Sequence, residues 1–478
     1  MGIGLAPVLA GEPAAPTDAL AAAAVKAGGS DQGLCLVIGD ADGKLTASLA
    51  RNSRMHVQCL TADREGAEKI RRALEESGPS GRVSAVWQRT RHLPYLDNLM
   101  NLIVATGNLK GETLSDVVRI LHPGGVAVVG SDTGTGAAAL LTEAGKVKFA
   151  QAESFPRNGA WVKIRKLMDP DFGEWPSLAG GPEMTMVSAD KALTPGKEVR
   201  WVNGPTWATG SFGNIIMCGG RSFHKEVVYI RPDSNSPSYF QGQSMLVARD
   251  AYNGCDLWSE KIKAGRPHVF CADEKRVYYG EGGDLVARDA VTGSVVTNYG
   301  PDVRSMTALG SFLILGKNGA SVVDKETGQV RWSKPHCIAP PAAKDGVVYI
   351  LTSQGMEAVT LADGKSVWKV ELAAVKERAG GTVMCKGGNV YLVQGIGEGF
   401  SLGPGPRKLR VVALDRGDGH VLWSDMRDRP AAGLSMLPFD DVVWITTRVP
   451  DTQYVNVNQH TLLGARTGKE VKVVRGTY

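Results

Sequence analysis

A repeated segment fixes the architecture of more than half of this chain. Leu246–Trp258 reads LVARDAYNGCDLW, and five further versions of it follow downstream. They lie at Leu285–Thr297, Ser321–Trp332, Glu357–Trp368, Val411–Trp423 and Leu462–Val474. Recurrence of one segment at this spacing is the sequence signature of a repeat fold.

Each copy has the pattern of a strand, a tight turn and a second strand. The turn carries an Asp that can accept bonds from backbone amides and a Gly that permits positive φ, and a Trp often follows in the next strand. These residues are Asp250, Asp289, Asp324 and Asp415, then Gly254, Gly293, Gly328, Gly364, Gly419 and Gly468, and finally Trp258, Trp332, Trp368 and Trp423. Another apolar strand precedes each copy. Because the glycines lie about 35 to 55 residues apart, we expect an all-β propeller of about six to eight four-stranded blades.

Composition narrows the class of protein. The chain has 478 residues, which favours two domains, and 43% hydrophobic and 22% charged residues are typical of a globular protein. The formal net charge is only +5, and no basic run or aromatic stripe predicts a nucleic-acid partner. No segment approaches the roughly 20 apolar residues that a transmembrane helix needs.

Cysteines and histidines give no sign of a metal or redox centre. The seven cysteines are scattered and form no CxxC or CxxCH motif, so we expect buried free thiols. His224, His268, His336, His420 and His460 are isolated in sequence, and we expect no metal site from them.

The N-terminal part alternates between strands and helices. Apolar runs at Leu34–Ile38, His56–Leu60 and Leu99–Ala105 predict buried strands, with a helical stretch at Arg64–Glu76 between the last two. A final antiparallel pair is expected around residues 147–165. This order predicts an α/β domain with a mostly parallel sheet.

Residues 34–166 resemble the class I methyltransferase fold that binds S-adenosylmethionine (SAM). The resemblance is carried by LVIGDADGKLTASLA for the first strand and glycine loop, LPYLDNLMNLIVA for the fourth strand, and VVRILHPGGVAVV for the following helix, turn and strand. It implies a SAM-binding pocket lined by the loop and by positions near the ends of the second and fourth strands. The corresponding residues are Gly39, Asp40, Gly43, Thr61, Asp63, Asp97 and Asn98.

This domain departs from the family pattern in its cofactor loop. The family usually has E/D-x-G-x-G-x-G, whereas only Gly39 and Gly43 remain here, and Thr61 stands where the ribose-binding acid belongs. Two interpretations stay open. The domain is a degenerate fold without a firm cofactor, or the chain is a SAM-dependent methyltransferase that uses the propeller to recognise its substrate. No catalytic residue is assigned.

A segment rich in Pro, Gly and Ser predicts a linker at residues 168–198. It would separate a flexible N-terminus at 1–30 and a methyltransferase-like domain at 31–167 from a propeller at 199–478. GEWPSL and SADKALTPGKEVRWVNGPTW resemble the joint of large bacterial proteins that attach a propeller of pyrroloquinoline-quinone (PQQ)-like repeats to such a domain. Quinone dehydrogenases of that type use an adjacent cysteine pair, which is missing here, so PQQ is not expected.

Two expectations concern partners and location. Val199–Val202 (VRWV) resembles the Trp-bearing outer strand of a blade that lacks its other strands, so we predict an incomplete propeller finished by a second chain, with a six-bladed ring as the alternative. The start, MGIGLAPVLAGEPAAP, resembles the tail of a secretory signal. We therefore favour a non-catalytic, partner-binding scaffold in the periplasm or elsewhere outside the cytoplasm, and the cytoplasm is the alternative.

Overall fold

The chain forms two compact units in a computed structural model, and each is described by itself. The first comprises mainly residues 1–170 with 194–204 and 249–257, and the second mainly the rest of residues 171–478. The structure describes residues 16–77, 81–88, 92–107, 111–134, 136–192, 215–230, 241–263, 270–301, 303–316, 319–372, 381–396, 408–428, 436–450 and 456–476. None of the helices in these ranges is long and apolar enough to cross a membrane.

The first unit is built on a seven-stranded mixed sheet. Its strands are β1 (Leu34–Ile38), β2 (His56–Thr61), β3 (Val83–Trp87), β4 (Met100–Thr106), β5 (Leu121–Ser131), β6 (Ala150–Ser154) and β7 (Ala160–Lys166). Its helices are α1 (Pro16–Gly28), α2 (Lys44–Arg51), α3 (Arg64–Ser77), α4 (Gly111–Ile120) and α5 (Ala137–Ala144). The strand order is β3-β2-β1-β4-β5-β7-β6, parallel through β5 and antiparallel at β7 and β6. This confirms the α/β Rossmann-like prediction, including the terminal antiparallel pair.

Both faces of this sheet are covered. Leu102 and Val104 of β4 pack in one apolar cluster, and Ile103 and Ala105 pack in another on the opposite face. Strands buried on both sides read as continuous apolar runs, which is why NLIVA shows no alternation.

Helix α1 differs from the flexible N-terminus that we expected at residues 1–30. Pro16–Gly28 is helical, and Leu20, Ala21 and Ala24 are buried in the core. Its start has a Pro at the first position and Asp18 in the first turn, and Lys26 lies in the last turn, which are ordinary helix signals. The expectation is wrong for these residues because we interpreted the Pro- and Ala-rich composition as a signal-peptide exit. Residues 1–15 lie outside the described ones.

In the described residues, the second unit consists of six four-stranded antiparallel sheets, each made from four consecutive strands. Sheets one to three are β8 (Ile215–Cys218), β9 (Arg221–Ile230), β10 (Gln241–Asp250), β11 (Asp256–Lys261); β12 (Phe270–Ala272), β13 (Arg276–Glu281), β14 (Asp284–Asp289), β15 (Val295–Pro301); and β16 (Ser305–Leu309), β17 (Phe312–Gly316), β18 (Gly319–Asp324), β19 (Val330–Pro335). Sheets four to six are β20 (Ala342–Lys344), β21 (Val347–Leu351), β22 (Gly355–Thr360), β23 (Ser366–Glu371); β24 (Gly381–Lys386), β25 (Asn389–Ile396), β26 (Lys408–Asp415), β27 (Val421–Asp428); and β28 (Met436–Pro438), β29 (Val442–Pro450), β30 (Asn456–Gly464), β31 (Glu470–Gly476). These sheets are the blades of the predicted β-propeller.

The repeated segment forms the third strand, the turn and the fourth strand of every sheet. At the turn of the second sheet, Asp289 Oδ1 accepts bonds from the amides of Val291 (3.0 Å) and Thr292 (2.7 Å), and Gly293 has φ 74°. Asp250 and Asp324 accept the same pair of amide bonds. Asp415 accepts one such bond, from Gly417 N at 2.8 Å, so the prediction that the turn acids bond to backbone amides is confirmed for all four residues.

In four of the six described sheets, a Trp of the fourth strand fastens the sheet to the following one. Its indole Nε1 donates to a carbonyl oxygen in the next turn region: Trp258 to Ala290, Trp332 to Leu361, Trp368 to Arg416 and Trp423 to Ala465. The ring also packs on the turn glycine of that next sheet, at Gly293, Gly364, Gly419 and Gly468 respectively. The second sheet has no such Trp, and Tyr299 replaces it by donating its hydroxyl to Lys325 O at 2.6 Å.

Residues Glu174–Glu183, which we name the inner strap, run along the first strands of four sheets. First strands of neighbouring sheets approach one another, as β8 and β12 or β20 and β24 do, so they line the inside of the array. Trp175 exchanges two backbone hydrogen bonds with Met217 of β8. The remaining backbone bonds run from Ala272 N to Pro176 O, from Ala343 N to Pro182 O and from Cys385 N to Glu183 O.

The inner strap changes the interpretation of the predicted linker. Residues 171–193 belong to the second unit, and Ser177 and Ala179 are buried. We interpreted this segment as a linker because it is rich in Pro and Gly. Its backbone is irregular, and only one or two of its residues pair with any one strand. Val199–Val202 lies outside the described residues, so a second chain that completes the propeller stays a prediction.

All seven cysteines are free, as expected, and Cys255 is the least buried. Burial, with Asp250 and Asp256 nearby, raises the pKa of its thiol to about 11.

We predict that iodoacetamide labels the native chain slowly and first at Cys255. The alkylation rate should rise about tenfold for each pH unit between neutral and alkaline pH, because the thiolate is the reactive species. Peptide mapping by mass spectrometry measures the site, and Cys255→Ser is the control. Faster labelling of Cys35 or Cys271 in the folded chain would contradict the burial described here.

We predict that Gly419→Ala destabilises the second unit more than Gly346→Ala does. Both glycines have positive φ (79° and 75°), but a Cβ at Gly419 would lie 2.5 Å from Trp368 Cε3, whereas a Cβ at Gly346 meets no atom within 4 Å. Both variants carry the backbone strain, of about 1 kcal/mol, and only Gly419→Ala also overpacks, by about 1–3 kcal/mol. Urea unfolding monitored by tryptophan fluorescence compares the two, and equal losses would show that the indole does not need the glycine.

Candidate functional site

The order of strands in the first unit creates a crevice at one edge of its sheet. The chain winds outward from β1 in one direction through β2 and β3, and in the other through β4 and β5. Ligands of open α/β sheets bind at such a switch point, outside the carboxyl ends of the strands. Gly39 follows β1, and Thr106 and Ser131 end β4 and β5, so these three residues meet at this edge.

A cavity of about 250 Å³ lies there. It is lined by residues of α1, of the loop after β1 and the start of α2, of the ends of β4 and β5, and of β7 with the loop before it. They are Pro16, Thr17, Leu20, Gly39, Asp40, Ala41, Asp42, Leu45, Thr106, Ser131, Asp132, Arg157 and Trp161. The volume is slightly below the roughly 300–1,000 Å³ that is usual for small-molecule sites.

The loop after β1 approaches β4 too closely for any residue but glycine at position 39. Gly39 has φ 84°, and a Cβ there would collide with the carbonyl oxygen of Thr106. The Thr106 hydroxyl donates to Gly39 O at 2.7 Å and holds the loop in place. Gly43, also at positive φ (78°), is the N-cap residue of α2.

The Asp40 carboxylate accepts hydrogen bonds at the amino end of α2. Asp40 Oδ1 accepts a bond from Gly43 N (3.1 Å), and Oδ2 accepts bonds from Thr46 N (2.9 Å) and the Thr46 hydroxyl (2.7 Å). The side chain is buried, with 8% of its surface exposed. Free amides at a helix N-terminus attract anionic ligands, and here Asp40 already occupies two of them, those of Gly43 and Thr46.

Arg157 and Asp132 close the other side of the cavity. Arg157 Nε and Nη2 each donate to the Asp132 carboxylate at 2.7 Å, and Trp161 Nε1 donates to Asp132 Oδ1 at 2.9 Å. The bonds from Arg157, with the indole bond adding to them, hold the pKa of Asp132 below its usual value. Arg157 Nη1 also donates to Pro16 O (3.3 Å), which links this cluster to α1.

The structure brings together some of the predicted site residues and not others. Gly39 and Asp40 line the cavity and Gly43 ends the same loop, whereas Thr61 and Asp63 stand at the end of β2 and do not line it. Thr61 Oγ1 donates to Asp63 O (2.8 Å), and Asp63 Oδ1 accepts from Gly66 N (2.7 Å) at the start of α3.

Asp97 and Asn98 lie at the opposite edge of the sheet. They precede β4, which runs parallel to β1, so they are at the amino end of the strand and Gly39 is beyond the carboxyl end. Asp97 accepts a bond from Arg119 (2.7 Å), and Asn98 accepts one from Lys166 (2.6 Å). Sequence reasoning placed them near the end of the fourth strand, and the structure does not bring them to the cavity.

Sequence reasoning missed Thr106, Ser131, Asp132, Arg157 and Trp161. Polar residues directly after the apolar runs of β4 and β5 were an available signal for the first three, because carboxyl ends of parallel strands share one edge. Arg157 comes from the β6–β7 loop, and nothing in its local sequence indicates this position.

The described residues contain one group with the composition of a metal site, in the turn of the fifth sheet. Ligand atoms of Asp415, Asp418 and His420 lie within 4.8 Å of one another. His420 Nδ1 is 2.7 Å from Asp418, and Arg466 pairs with Asp415 at 3.1 Å. The group is mostly exposed, and its bonds belong to the repeat turn.

Comparisons with known proteins found one matching family and several similar solved structures. Residues 316–471 match the family described as outer membrane protein assembly factor BamB. No curated protein sequence matches this chain significantly. A protein of Methanococcus maripaludis described as an S-adenosyl-L-methionine-dependent methyltransferase is similar over 32% of this chain and 86% of its own, with 19% identity and a TM-score of 0.28.

Two further solved structures are similar to part of the chain. A tRNA (m1A58) methyltransferase from Aquifex aeolicus matches over 34% of this chain and 72% of its own (14% identity, TM-score 0.28). The [4+2]-cyclase SpnF matches over 24% of this chain and 44% of its own (22% identity, TM-score 0.23). At these TM-scores we draw nothing from them, and the fold of the first unit is assigned from its own strand order. The first unit has a methyltransferase-like Rossmann fold, and the second carries PQQ-like propeller repeats.

We predict that Asp40→Ala destabilises the first unit by about 1–3 kcal/mol, because it removes a helix cap and leaves buried amides without an acceptor. The matched control is Asp42→Ala, whose exposed carboxylate bonds to Lys44 and should change stability by less than about 0.5 kcal/mol. Hydrogen exchange of α2 amides, followed during urea unfolding, measures both. Equal protection of α2 in the two variants would contradict the cap.

Proposed function

We propose that this chain, in which a methyltransferase-like domain precedes PQQ-like propeller repeats, is a non-catalytic scaffold. It would bind protein partners and work as a subunit of a larger assembly. The observation that carries the proposal is the Asp40 carboxylate, which fills the amino end of α2 with three hydrogen bonds of its own. The carboxylate of a SAM-like ligand at this loop would lose those donors and would lie beside the carboxylate of Asp40.

The remaining polar groups around the cavity also have partners within the protein. Arg157 is bonded to Asp132 through two nitrogens, and its guanidinium lies 5.5 Å from the ring of Trp161. At the ribose position, Thr61 has no carboxylate, and Asp63 is used as a cap for α3. A ligand would have to replace these bonds without leaving buried groups unpaired, which is unfavourable.

The propeller supports the partner-binding part of the proposal. Its repeats match a family named as an outer membrane protein assembly factor, over residues 316–471. We carry this over as a role in assembly outside the cytoplasm, with the periplasm as the location. Burial raises the pKa of Cys35, Cys271 and Cys385, so these thiols are protected from oxidation in such a compartment.

A SAM-dependent methyltransferase is the alternative function, and the cavity favours it. It lies at the switch point of the sheet, where a cofactor of this fold would be expected, and Gly39 and Asp40 line it. In this alternative, Gly43, Thr61 and Asp63 would hold the rest of SAM, and the propeller would recognise the substrate.

We predict that S-adenosylhomocysteine shows no saturable binding to the full chain in isothermal titration calorimetry. The physical reason is that Asp40 already accepts bonds from the amides of Gly43 and Thr46, and that position 61 carries a Thr in place of an acid. Two variants check the site of any binding. Ala41→Trp places an indole at the cavity, and Ala139→Trp, at an exposed position on α5 that does not line the cavity, is its control. Saturable binding by the wild type and by Ala139→Trp, lost in Ala41→Trp, would replace the scaffold with the methyltransferase.

A further inference from the structure

The cavity at the carboxyl edge of the first unit's sheet has a negative lining. Three acids, Asp40, Asp42 and Asp132, line it together with one cation, Arg157, among the described residues. Asp40 is buried, whereas Asp42 and Asp132 are exposed. A cleft lined by one sign of charge concentrates ligands of the opposite sign. The composition of this lining therefore favours a cationic ligand.

The guanidinium of Arg157 is already bonded within the protein. Its Nε and Nη2 donate to Asp132, and its Nη1 donates to Pro16 O. Trp161 Nε1 donates to Asp132 as well, at 2.9 Å. A ligand that accepts hydrogen bonds from these groups must displace one of their acceptors, which is unfavourable for a buried group. A ligand that only donates hydrogen bonds leaves all of these bonds in place.

The carboxylates of Asp40 and Asp132 can each accept a further hydrogen bond. An ionised carboxylate offers about four lone-pair sites. Asp40 accepts three bonds at the amino end of α2, and Asp132 accepts two from Arg157 and one from Trp161. The bonds from Arg157 hold the pKa of Asp132 below its usual value, so this carboxylate is ionised at neutral pH. The capacity that remains on these two acids suits a ligand that donates.

Asp40 is a buried acid that pairs with no Lys or Arg of the described residues. Its three bonds come from two amides and one hydroxyl, which are neutral groups. Acids are rarely buried without a positive partner. The amino end of α2 supplies the equivalent of about half a positive charge, so part of the negative charge remains. A cation that binds in the cavity beside Asp40 neutralises this remainder.

Asp40 and Asp132 follow two different strands, so only an elongated ligand reaches both. Asp40 follows β1 and Asp132 follows β5, and β4 lies between these strands in the sheet. Two spacings of about 4.8 Å separate the strand ends by about 10 Å. A single metal ion does not span this distance, and in the part of the chain that the structure describes the one group with the composition of a metal site lies in a repeat turn. A ligand with a positive group at each end fits the two carboxylates.

We propose that this cavity binds a small linear diamine, with one ammonium group at Asp40 and the other at Asp132. A chain of four or five carbons between the ammonium groups spans the separation when each nitrogen lies about 2.8 Å from a carboxylate oxygen. The cavity volume of about 250 Å³ admits such a molecule, and Leu20 and Leu45, which also line it, offer apolar contact to the carbon chain. The scaffold role does not require this ligand, so the site goes beyond the proposed function.

The test is isothermal titration calorimetry of the full chain with three compounds of equal carbon number: 1,4-diaminobutane, butane-1,4-diol and succinate. The diamine should bind saturably at one site, the diol at least about tenfold more weakly, and succinate not at all, because only the diamine brings positive donors to the carboxylates. Asp132→Asn should raise the dissociation constant of the diamine by about tenfold or more. Glu153→Gln is the matched control and should leave it unchanged, because Glu153 also pairs with a cation, Lys163 (2.8 Å), but does not line the cavity.

A second variant tests the site without changing a charge. Ala41→Trp should abolish diamine binding, and Ala139→Trp should bind like the wild type. Melting temperatures measured without ligand establish that the variants fold.

The proposal is overturned if the wild type shows no saturable diamine binding, if the diol binds equally well, or if Asp132→Asn and Ala41→Trp keep the wild-type affinity. The titrations also separate this site from the scaffold role. Binding of S-adenosylhomocysteine contradicts the scaffold role, whereas failure of the diamine to bind contradicts the diamine site alone.

Discussion

One aromatic side chain on the outer strand of each of the first five sheets fastens that sheet to the next one. Ladder hydrogen bonds act only within a sheet, so the position of one sheet on the next depends on apolar packing and on this contact. The indoles of Trp332 and Trp368 are fixed in two ways: each donates to a carbonyl of the next turn region and lies against a glycine there. Close packing makes such a contact all-or-none, since a single added carbon atom would collide with the ring. The regular spacing of Asp, Gly and Trp along the sequence reflects this contact.

In the first unit, the loop after β1 is held by hydrogen bonds within the protein. A strand followed by a glycine turn and a helix directs amides outward, and a cofactor-binding protein leaves them for its ligand. Asp40 satisfies them internally and makes the loop a structural joint between β1 and α2. The Asp132–Arg157 pair is likewise bonded within the protein, and it links the end of β5 to α1. Stability and ligand binding compete for the same donors here.

The sequence predicted what local rules determine and missed what distant contacts determine. Turn acids, turn glycines and buried strands follow from short-range stereochemistry, so Asp289, Gly293 and the NLIVA strand could be predicted. Tyr299 could not be predicted as a substitute for Trp, because it stands two residues beyond the usual position and reaches the next turn only through its hydroxyl. Nor could Arg157, whose partner Asp132 is 25 residues away on another strand end. For Asp97 and Asn98 the family resemblance identified the strand correctly, and the edge of the sheet became clear only from the register of β1 and β4.

The inner strap has a consequence for how the chain folds during synthesis. Glu174–Glu183 leaves the ribosome before every strand that it pairs with, and its bonds to Ala343 and Cys385 wait until the fourth and fifth sheets have been translated. Contacts of such sequence separation close slowly and leave strand edges open in the meantime. Part of the strap therefore stays unpaired through most of the unit's translation. The native structure is completed late, when this early segment pairs with sheets that are synthesised after it.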